Sequence, residues 1–561
     1  MIAALAQIAP APLHGPEFAW AEISPELILF GTGLLALLLD TAGAQRLQAS
    51  FIAFGALVGG AGLALAQSGG RLLVPASLVA LGGLAQFVLT AIWRDRPKLL
   101  AAVLTSLGFA AALGATGAQW ATYTVQLAGQ PFVGTASLIG NMVAVDGVAL
   151  FTRVTVCLAG LVTVPLSYAY LQERRIHRGE YYPLLLFAAT GMTLLGSSAD
   201  LIMVFIAIEI LSLSLYILSG FAKRDLNSQE SALKYFLLGA FSSALLLYGI
   251  ALCYGVASTT NIPKVGAALA TQTSGGLALA AMALLLVGFG FKTALVPFHM
   301  WTPDVYQGAP TPVTGFMAAA TKAAAFAAFL RVFSGAFGAL SWSWVPVVSV
   351  IAVGTMLFGA VLAIVQSDLK RMLGYSAIAH AGYVLIGLVA VSSEGVSGAL
   401  LYLLIYAFMS IGSFGVLALL ERRSHKAMAL ADIAGLGRRD PVSAALLALF
   451  LLALAGIPGT AGFIAKFAVF RAGVEAGQWP LVVVGVISSA IAAFFYIRVI
   501  VAMFMVPEPE DVQAQPAQAR LAYTPGMTAG LAVSAAAVIL LGLPLVSPAV
   551  EFARQAATLT S

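Results

Sequence analysis

The stretch Gly288-Phe-Gly-Phe-Lys292-Thr-Ala-Leu-Val-Pro297-Phe-His299-Met-Trp301-Thr-Pro303-Asp304 places a lysine inside an apolar run that two prolines interrupt. A second stretch, Ala455-Gly456-Ile-Pro458-Gly459-Thr-Ala-Gly462-Phe-Ile-Ala-Lys466, combines a helix breaker and a lysine again. Proline removes a backbone donor, and non-helical backbone at membrane depth is tolerated only where it lines a cavity or is buried in protein. The pair therefore predicts two discontinuous helices beside an ion site. The simpler alternative is that each proline only kinks its helix.

The chain has the composition of an integral membrane protein. Of its 561 residues, 61% are hydrophobic and 9% are charged, compared with about 25% charged residues in soluble proteins. Its apolar runs are long enough for helices to cross a bilayer, and they lack the alternating pattern of an outer-membrane barrel. We therefore expect an all-α polytopic fold.

Apolar windows of about 20 residues predict about 16 transmembrane helices. Their approximate bounds are 25–41, 50–67, 74–93, 98–118, 145–168, 181–198, 200–220, 231–256, 276–306, 312–333, 344–365, 369–391, 397–420, 441–473, 479–504 and 525–546. The longest polar connections are residues 119–145 and 506–524. The first ten residues lack the basic region of a signal peptide, so we expect Met1 to be retained.

Basic residues are distributed unevenly between the two sets of alternate loops. One set holds 17 of the 28 lysines and arginines, and the other holds only Arg71, Lys264 and Arg554. The positive-inside rule then places the N-terminus outside, on the periplasmic side of a bacterial inner membrane. The net charge of +5 is spread over short loops, which does not suggest nucleic-acid binding. The two cysteines, Cys157 and Cys253, lie in separate apolar segments and indicate neither a disulfide framework nor a metal site.

Five charged residues lie inside predicted spans: Glu209, Lys234, Lys292, Lys322 and Lys466. Each costs roughly 2.5–3.5 kcal/mol at the bilayer centre, so such residues usually mark an ion path. Loss of solvation favours the neutral form of a lysine, and buried lysines can therefore exchange protons near neutral pH. We expect a proton relay. The alternative is a set of permanent structural ion pairs.

The surroundings of these charges suggest particular partners. Glu209 lies midway through its span, and we expect it to pair with Lys234 or Lys292. Lys234 follows Glu230 by four residues, so the two side chains share a helix face. Lys322 is surrounded by small residues that leave room for water.

Two histidines and three arginines also lie in or near spans. His299 and His380 could extend the relay, because histidine titrates near neutral pH. A lone histidine in a membrane protein as often serves a structural role, in which it forms a hydrogen bond between helices. We interpret the arginines as snorkelling to the membrane surface, with no role in transport: Arg331, Arg471 and Arg498.

A longer motif carries a family resemblance. The sequence Phe291-Lys-Thr-Ala-Leu-Val-Pro-Phe-His-Met-Trp-Thr-Pro-Asp-Val-Tyr-Gln-Gly-Ala-Pro-Thr-Pro-Val-Thr-Gly315 resembles the signature of the antiporter-like membrane subunits of respiratory complex I, the bacterial NADH:quinone oxidoreductase. Residues 208–216, 231–243, 368–376 and 454–466 look most like the subunit N group. The resemblance covers about residues 140–505. Members usually have 14 helices, so the chain has about two extra spans between residues 50 and 93.

The resemblance implies two inverted five-helix repeats, in which residues 276–306 and 441–473 are corresponding broken helices. It divides the chain into N-terminal helices (1–140), a first repeat region (141–335), a second repeat region (336–505), and a loop with a C-terminal helix (506–561). It also implies roles for four residues. Glu209 would be the membrane glutamate, Lys292 its partner, Lys322 the central relay lysine, and Lys466 the lysine near the outer half-channel.

The resemblance further implies a proton-pumping translocase subunit that carries no cofactor or metal. FMN, iron–sulfur clusters and quinone would belong to partner subunits, and this chain would contact other membrane-arm subunits and the lipid bilayer. Two alternatives stay open at this stage. One is an antiporter subunit of a multi-subunit Na⁺(K⁺)/H⁺ exchanger, and the other is a structural membrane subunit that does not conduct protons.

Overall fold

The structure is a computed structural model that describes residues 23–42, 97–127, 141–271, 275–421, 428–507, 523–543 and 546–558. Within these ranges the chain is helical, and its β-structure is limited to three isolated bridges. The helices are α1 (Ser24–Ala42), α2 (Pro97–Leu127), α3 (Gly147–Glu173), α4 (Tyr181–Gly196), α5 (Leu201–Ser219), α6 (Leu226–Ala257), α7 (Ile262–Thr271), α8 (Gly276–Thr293), α9 (Trp301–Gly308), α10 (Thr311–Phe316), α11 (Lys322–Gly335), α12 (Ser341–Ile364), α13 (Leu369–Val389), α14 (Ser393–Glu421), α15 (Leu436–Arg439), α16 (Pro441–Ala455), α17 (Ala461–Glu475), α18 (Trp479–Phe504), α19 (Pro525–Leu540) and α20 (Ser547–Thr558).

The described part confirms the all-α polytopic fold. Ten helices are long and apolar enough to span a membrane, and four shorter apolar helices accompany them. The predicted spans at 50–67 and 74–93 lie outside the described residues, so the count of 16 stays a prediction. The division into two repeats and the domain boundaries also stay predictions.

Both predicted helix breaks are present. The first separates α8 from α9, and Ala294 adopts a left-handed conformation with φ +63° at this point. The second separates α16 from α17, where Gly456 has φ +83° and Gly459 has φ +89°. Left-handed backbone favours glycine because it has no Cβ to clash. The sequence of the second break therefore matches its geometry directly.

Two helix ends differ from the predicted ones, and one short helix was not predicted. Helix α2 continues to Leu127, into the segment that we predicted as a loop. The last predicted span ends at Leu540, and the separate helix α20 follows it. Helix α7 was not predicted, because ten residues are too few for a span-length window. In each case the window method measures apolar length rather than helix ends.

The helices that carry the buried charges occupy the centre of the bundle. Helices α10 and α11 are joined by a π-helical turn, Met317–Thr321, and every residue from Thr311 to Leu330 is buried. Helices α13 and α14 pack around them and are almost completely buried, whereas α6, α12 and α18 expose most of their surface. The exposed helices present large apolar side chains such as Phe241 and Val350, as expected at a lipid or subunit boundary.

Side-chain contacts show which loops share an end of the bundle. At one end, Lys98 donates to the His177 carbonyl over 2.7 Å, and Arg174 approaches Asp225 at 3.9 Å and Glu421 at 4.0 Å. We call this end the basic end, because the predicted lysine- and arginine-rich loops meet there. At the opposite end, Arg331 pairs with Asp146, Asn261 with Asn141, and Arg554 with Glu394. The contacts agree with the predicted alternation of loops.

Two helices begin with the same local structure. Asp200 caps α5 by accepting the Ile202 amide at 2.8 Å, and it forms a β-bridge with Asn261. Asp368 caps α13 by accepting the Arg371 amide at 2.8 Å, and it forms a β-bridge with Ala429. An aspartate at the N-cap satisfies helix amides that otherwise have no partner. Helix α5 carries Glu209 and α13 carries His380, so the two starts position two candidate site residues in similar ways.

Candidate functional site

Lys292 lies in the last turn of α8, immediately before the first helix break, and is 3% exposed. Its Nζ atom donates to Ser212 Oγ over 2.5 Å and lies 5.5 Å from the ring centroids of Tyr216 and Tyr235. These contacts are a hydroxyl and aromatic faces, which interact favourably with a cation without adding a negative charge. We call Glu209, Ser212, Tyr216, Tyr235 and Lys292 the Lys292 site.

The first break is held by side chains that satisfy its backbone. Trp301 Nε1 donates to the Phe291 carbonyl over 3.0 Å, and Thr355 Oγ1 accepts the Val296 amide at 3.1 Å. The Trp301 ring also stacks on Tyr235, with centroids 4.6 Å apart. Buried backbone groups need such partners. The break is thus a fixed structure that holds Lys292 between α5, α6 and α9.

Glu209 is half-buried on α5, and its Oε1 atom is buried with no hydrogen-bond partner in the described part of the chain. It is close enough to Lys292 to interact electrostatically, but these two residues form no direct ion pair. The expected Glu209–Lys292 pairing is therefore a through-space interaction. A buried carboxylate oxygen without a protein partner requires another donor, such as internal water.

The alternative pairing of Glu209 with Lys234 is wrong. Lys234 binds Glu230 at 2.6 Å and Asp304 at 2.7 Å, and 42% of its side chain is exposed. The Glu230 contact is the predicted i,i+4 pair. Asp304 comes from α9 and also binds Arg371 of α13, so this ionic cluster ties three helices together. Lys234 reaches these carboxylates because it lies near the basic end of α6.

Lys322 follows the π-helical turn directly and is 3% exposed. Its ammonium group donates to the Ala377 carbonyl of α13 and lies 5.5 Å from the centroid of the Tyr406 ring. Among the described residues, no carboxylate forms an ion pair with it. The small residues around Lys322 are buried and allow α10, α11, α13 and α14 to pack closely.

Lys466 lies one turn into α17, just after the second break, and is 5% exposed. Its Nζ atom donates to the Ala455 carbonyl and to Ser489 Oγ, both over 2.7 Å, and lies 5.0 Å from the Tyr383 ring centroid. The Ala455 carbonyl is at the end of α16, where the helix no longer supplies a donor. Lys466 therefore caps the helix that the break interrupts.

His380 links the second group of residues. It is 2% exposed, its Nδ1 atom lies 2.6 Å from Tyr402 Oη, and its Nε2 atom lies 3.2 Å from Tyr496 Oη. It interacts electrostatically with both Lys322 and Lys466. Tyr496 also hydrogen-bonds to Ser376. We call Lys322, His380, Tyr402, Lys466 and Tyr496 the His380 site.

His299 is buried beside the first break, but it does not join either site through the contacts described here. Its ring meets the Phe358 ring edge-on at 5.1 Å, and its Nδ1 atom has no hydrogen-bond partner among the described residues. The structure thus brings His380 between two lysines and leaves His299 to the side.

Comparisons with known proteins show the family to which the chain belongs. The family model described as "NADH:quinone oxidoreductase/Mrp antiporter, TM" matches residues 198–492, more than half of the chain. A protein of Rhodococcus opacus named NADH-quinone oxidoreductase subunit N is 43% identical over 99% of this chain and 98% of its own. The chain belongs to the subunit N family of NADH-quinone oxidoreductases.

Solved structures place the subunit N fold in a wider group. A chain of respiratory complex I from Thermus thermophilus with bound aureothin is 34% identical, with a TM-score of 0.67, and the match covers 84% of this chain and 97% of that one. A chain of the Mrp complex from Dietzia sp. is 22% identical, with a TM-score of 0.71 and coverage of 87% and 96%. The second likeness shows a shared fold only. This family member is a multi-pass membrane protein, which in bacteria places it in the inner membrane.

The sequence did not reveal two tyrosines of the His380 site, and it suggested the wrong role for two arginines. The tyrosines of the His380 site, Tyr402 and Tyr496, gave no signal because tyrosine in an apolar helix usually indicates packing. Two of the three arginines do not snorkel: Arg331 binds Asp146 through two hydrogen bonds of 2.6 and 2.7 Å, and Arg498 donates to the Ile364 and Gln366 carbonyls. Only their long-range partners, which a window cannot show, distinguish these roles.

The N-terminal helices contain a buried ion pair that lies outside both sites. Arg153 is completely buried in α3 and donates to Glu26 of α1 over 2.7 Å and to Gln119 of α2 over 2.9 Å. The sequence placed Arg153 in a span but assigned it no partner. In the described part of the chain, no group of histidine, cysteine and acidic residues could hold a metal ion.

Proposed function

We propose that this chain transfers protons along the row Glu209, Lys292, Lys322, His380 and Lys466, as a proton-translocating membrane subunit of NADH:quinone oxidoreductase. NADH oxidation and quinone reduction take place on other subunits. Family membership supports the reaction, and the geometry of the two sites supports the path.

One observation carries the proposal. Lys292, Lys322 and Lys466 are buried, and the contacts that hold them are hydroxyls, backbone carbonyls and aromatic rings instead of carboxylates. A hydroxyl can accept from an ammonium group or donate to a neutral amine, and a carbonyl can accept an N–H from either form, so these partners tolerate both protonation states. A directly bonded carboxylate would favour the charged form alone.

Lys234 shows the contrast within the same molecule. Its ammonium group binds two carboxylates and is partly exposed, so its positive charge is stabilised permanently. We therefore place Lys234 at the edge of the relay, where it ties α6 to α9. His299 also lies off the row, beside the break that holds Lys292.

The proposal assigns the cofactors and partners to the rest of the complex. FMN, iron–sulfur clusters and quinone are bound by partner subunits, whose reaction supplies the free energy. The exposed apolar helices face lipid and the neighbouring membrane-arm subunits. The basic end faces the cytoplasm by the positive-inside rule, which puts the N-terminus on the periplasmic side.

No specific observation favours a Na⁺(K⁺)/H⁺ exchanger. The likeness to the Mrp complex concerns the fold, whereas the more identical relative named above is a subunit of NADH-quinone oxidoreductase. The remaining competitor is a structural subunit that does not conduct protons.

The Lys322→Ala variant tests the proposal against that competitor. In inverted membrane vesicles with the assembled complex, we expect NADH-driven proton uptake to fall on the order of 100-fold, the lower end of what a positioned acid–base group contributes. Glu209→Ala should reduce proton uptake in the same assay. Lys264→Ala, which removes an exposed lysine at the opposite end of the bundle, is the control. Normal assembly with undiminished proton uptake in Lys322→Ala and Glu209→Ala would refute the relay.

A further inference from the structure

A second group of buried charges lies at the basic end, outside both sites. Glu421, the last residue of α14, is 8% exposed, and Lys370 in the first turn of α13 is 4% exposed. Lys370 Nζ donates to the Ala309 carbonyl over 2.8 Å and lies 3.9 Å from Glu421 Oε2. The same carboxylate oxygen accepts the Thr311 hydroxyl at the start of α10. The mechanism proposed above uses none of these groups.

Charged side chains connect this group to the surface. Arg174 Nη2 lies 4.0 Å from Glu421 Oε1 and 3.9 Å from Asp225 Oδ2. Side-chain exposure falls from 40% at Asp225 to 14% at Arg174, 10% at Glu421 and 5% at Lys370. Thr311 is completely buried. The series therefore runs from water into the protein and ends on the helix that leads to Lys322.

The described groups that contact or neighbour Glu421 come from three helices, α3, α10 and α13. Helix α3 contributes Arg174 and the buried Tyr170, whose hydroxyl lies 3.5 Å from the Thr311 amide. Helix α13 contributes Lys370, and α10 contributes Thr311. Arg174 and Lys370 lie 4.0 Å and 3.9 Å from the Glu421 carboxylate, beyond hydrogen-bond distance, whereas the Thr311 hydroxyl donates to it from the buried side.

A continuous seam joins Glu421 to Lys322. Helix α14 runs antiparallel to α10 and α11, and three contacts fix their register: Thr311 with Glu421, Gly315 with Phe414, and Lys322 with the Tyr406 ring. A Cβ added at Gly315 would lie 3.2 Å from Phe414 Cβ, so the helices meet closely there. Thr311 and Lys322 are eleven residues apart, or about 16 Å along a helix.

The two helices carry buried polar groups within this distance. Thr314 on α10, with Ser413 and Ser410 on α14, is buried between its ends. Thr321 Oγ1, next to Lys322, is buried and has no hydrogen-bond partner in the described ranges. Buried polar atoms normally have a protein or water partner. Hydroxyls with water between them can carry a proton over a distance that no single transfer covers.

We infer that Glu421 is the proton-loading residue at the basic end, which takes protons from the aqueous phase and delivers them along the α10–α14 seam to Lys322. In this step a proton passes from water to the Glu421 carboxylate and makes a carboxylic acid. The acid then releases a proton to Thr311 and the seam, Lys322 accepts a proton from the seam as its amine becomes an ammonium, and Glu421 returns to a carboxylate. The inference rests on the proposed function, because it requires Lys322 to be a proton acceptor.

The Glu421→Gln variant of the complete complex tests this inference, with Glu394→Gln as the matched control. Glu394 lies at the other end of the same helix, where 44% of its side chain is exposed. In inverted vesicles the basic end faces the bath, so its pH can be set directly. We expect proton uptake by Glu421→Gln to fall about tenfold at pH 8 and much less at pH 6, because a loading carboxylate matters most when protons are scarce. Glu394→Gln should match the wild type at both pH values.

Two further variants separate a loading role from a structural one. Glu421→Asp keeps the carboxylate and should restore most of the rate, whereas Thr311→Val removes only the hydroxyl and should reproduce the pH-dependent loss. Wild-type rates for Glu421→Gln at both pH values would overturn the inference. If the Glu421→Gln complex does not assemble, the Thr311→Val variant tests the inference in its place. Proton uptake by Thr311→Val at the wild-type rate at pH 8 would overturn the inference. Lys322→Ala in parallel distinguishes the cases: normal proton uptake there refutes the proposed function, whereas its loss beside a normal Glu421→Gln refutes loading alone.

Discussion

The Lys292 site and the His380 site hold buried cations in opposite ways. At the His380 site the polar groups bind one another: both nitrogens of His380 contact tyrosine hydroxyls, and Lys466 has two acceptors. At the Lys292 site, Lys292 has Ser212, while Glu209 Oε1 and the Tyr235 hydroxyl have no hydrogen-bond partner in the part of the chain described. The His380 site is connected by protein hydrogen bonds, and the Lys292 site needs water.

This difference indicates two modes of proton transfer in one chain. Fixed hydrogen bonds carry a proton when each group rotates or exchanges its role, so they depend on individual side chains. At a watered site, the groups that the protein itself bonds should be the sensitive ones, because water already serves the polar groups that lack a protein partner. The two sites should therefore respond differently to equivalent substitutions. Two matched pairs of variants test this, and a third pair tests how the second break holds Lys466.

The largest difference should come from the serines that accept from the lysines. Ser212→Ala removes the hydroxyl bonded to Lys292, whereas Ser489→Ala leaves Lys466 its bond to the Ala455 carbonyl. Hydrogen bonds to charged groups contribute about 1.5–3 kcal/mol. We expect NADH-driven proton uptake to fall about tenfold in Ser212→Ala, the equivalent of about 1.4 kcal/mol, and by less than about threefold in Ser489→Ala. Equal losses would mean that the Ala455 carbonyl does not hold Lys466.

The next pair uses the glycines of the second break. Gly456 and Gly459 both have left-handed backbone, but only Gly456 touches the lysine: an added Cβ would lie 2.8 Å from Lys466 Cδ and 3.1 Å from Nζ. The backbone strain of alanine there is about 1–2 kcal/mol at either position. We expect both Gly456→Ala and Gly459→Ala to lower the melting temperature of the purified complex. Proton uptake should fall several-fold in Gly456→Ala alone, and an equal fall in Gly459→Ala would assign the effect to strain instead.

The last pair removes two tyrosine hydroxyls, and we expect it to affect stability more than proton uptake. Tyr496→Phe leaves His380 Nε2 and Ser376 without this partner, which costs about 1–3 kcal/mol of stability. Tyr235→Phe removes a hydroxyl that has no protein partner in the described region, so its cost should be under about 0.5 kcal/mol. Thermal unfolding of the purified complex measures both. A larger loss in Tyr235→Phe would show that the Lys292 site is not a watered site.

The positions of the buried lysines and of both helix breaks could be predicted from the sequence. A lysine or proline in an apolar run is visible locally, because it contradicts the residues on either side. The pairing of these residues was less accessible. Lys234 and Glu209 are both charged and lie in successive helices, yet Lys234 binds Asp304, which is seventy residues away. Only the packing of α6 against α9 selects that partner.

The His380 site shows the same limit from the other side. Its tyrosines come from α14 and α18, more than ninety residues apart, and no spacing in the sequence connects Tyr402 with Tyr496. Glu421 gave no signal either, because it stands at a span end where a charged residue is ordinary. A charged residue or a proline in an apolar run can be recognised in one sequence. A residue whose role depends on a contact with a residue distant in the sequence cannot.

The π-helical turn Met317–Thr321 also has a consequence for Lys322. A π-turn spaces its hydrogen bonds one residue further apart than an α-turn does. An extra residue rotates everything beyond it by about 100° relative to an uninterrupted α-helix. Lys322 is the first residue after this turn, and it faces the Ala377 carbonyl and the Tyr406 ring because of that rotation. The number of residues in one turn, and not their chemical identity, therefore sets the direction in which the Lys322 side chain points around the helix axis.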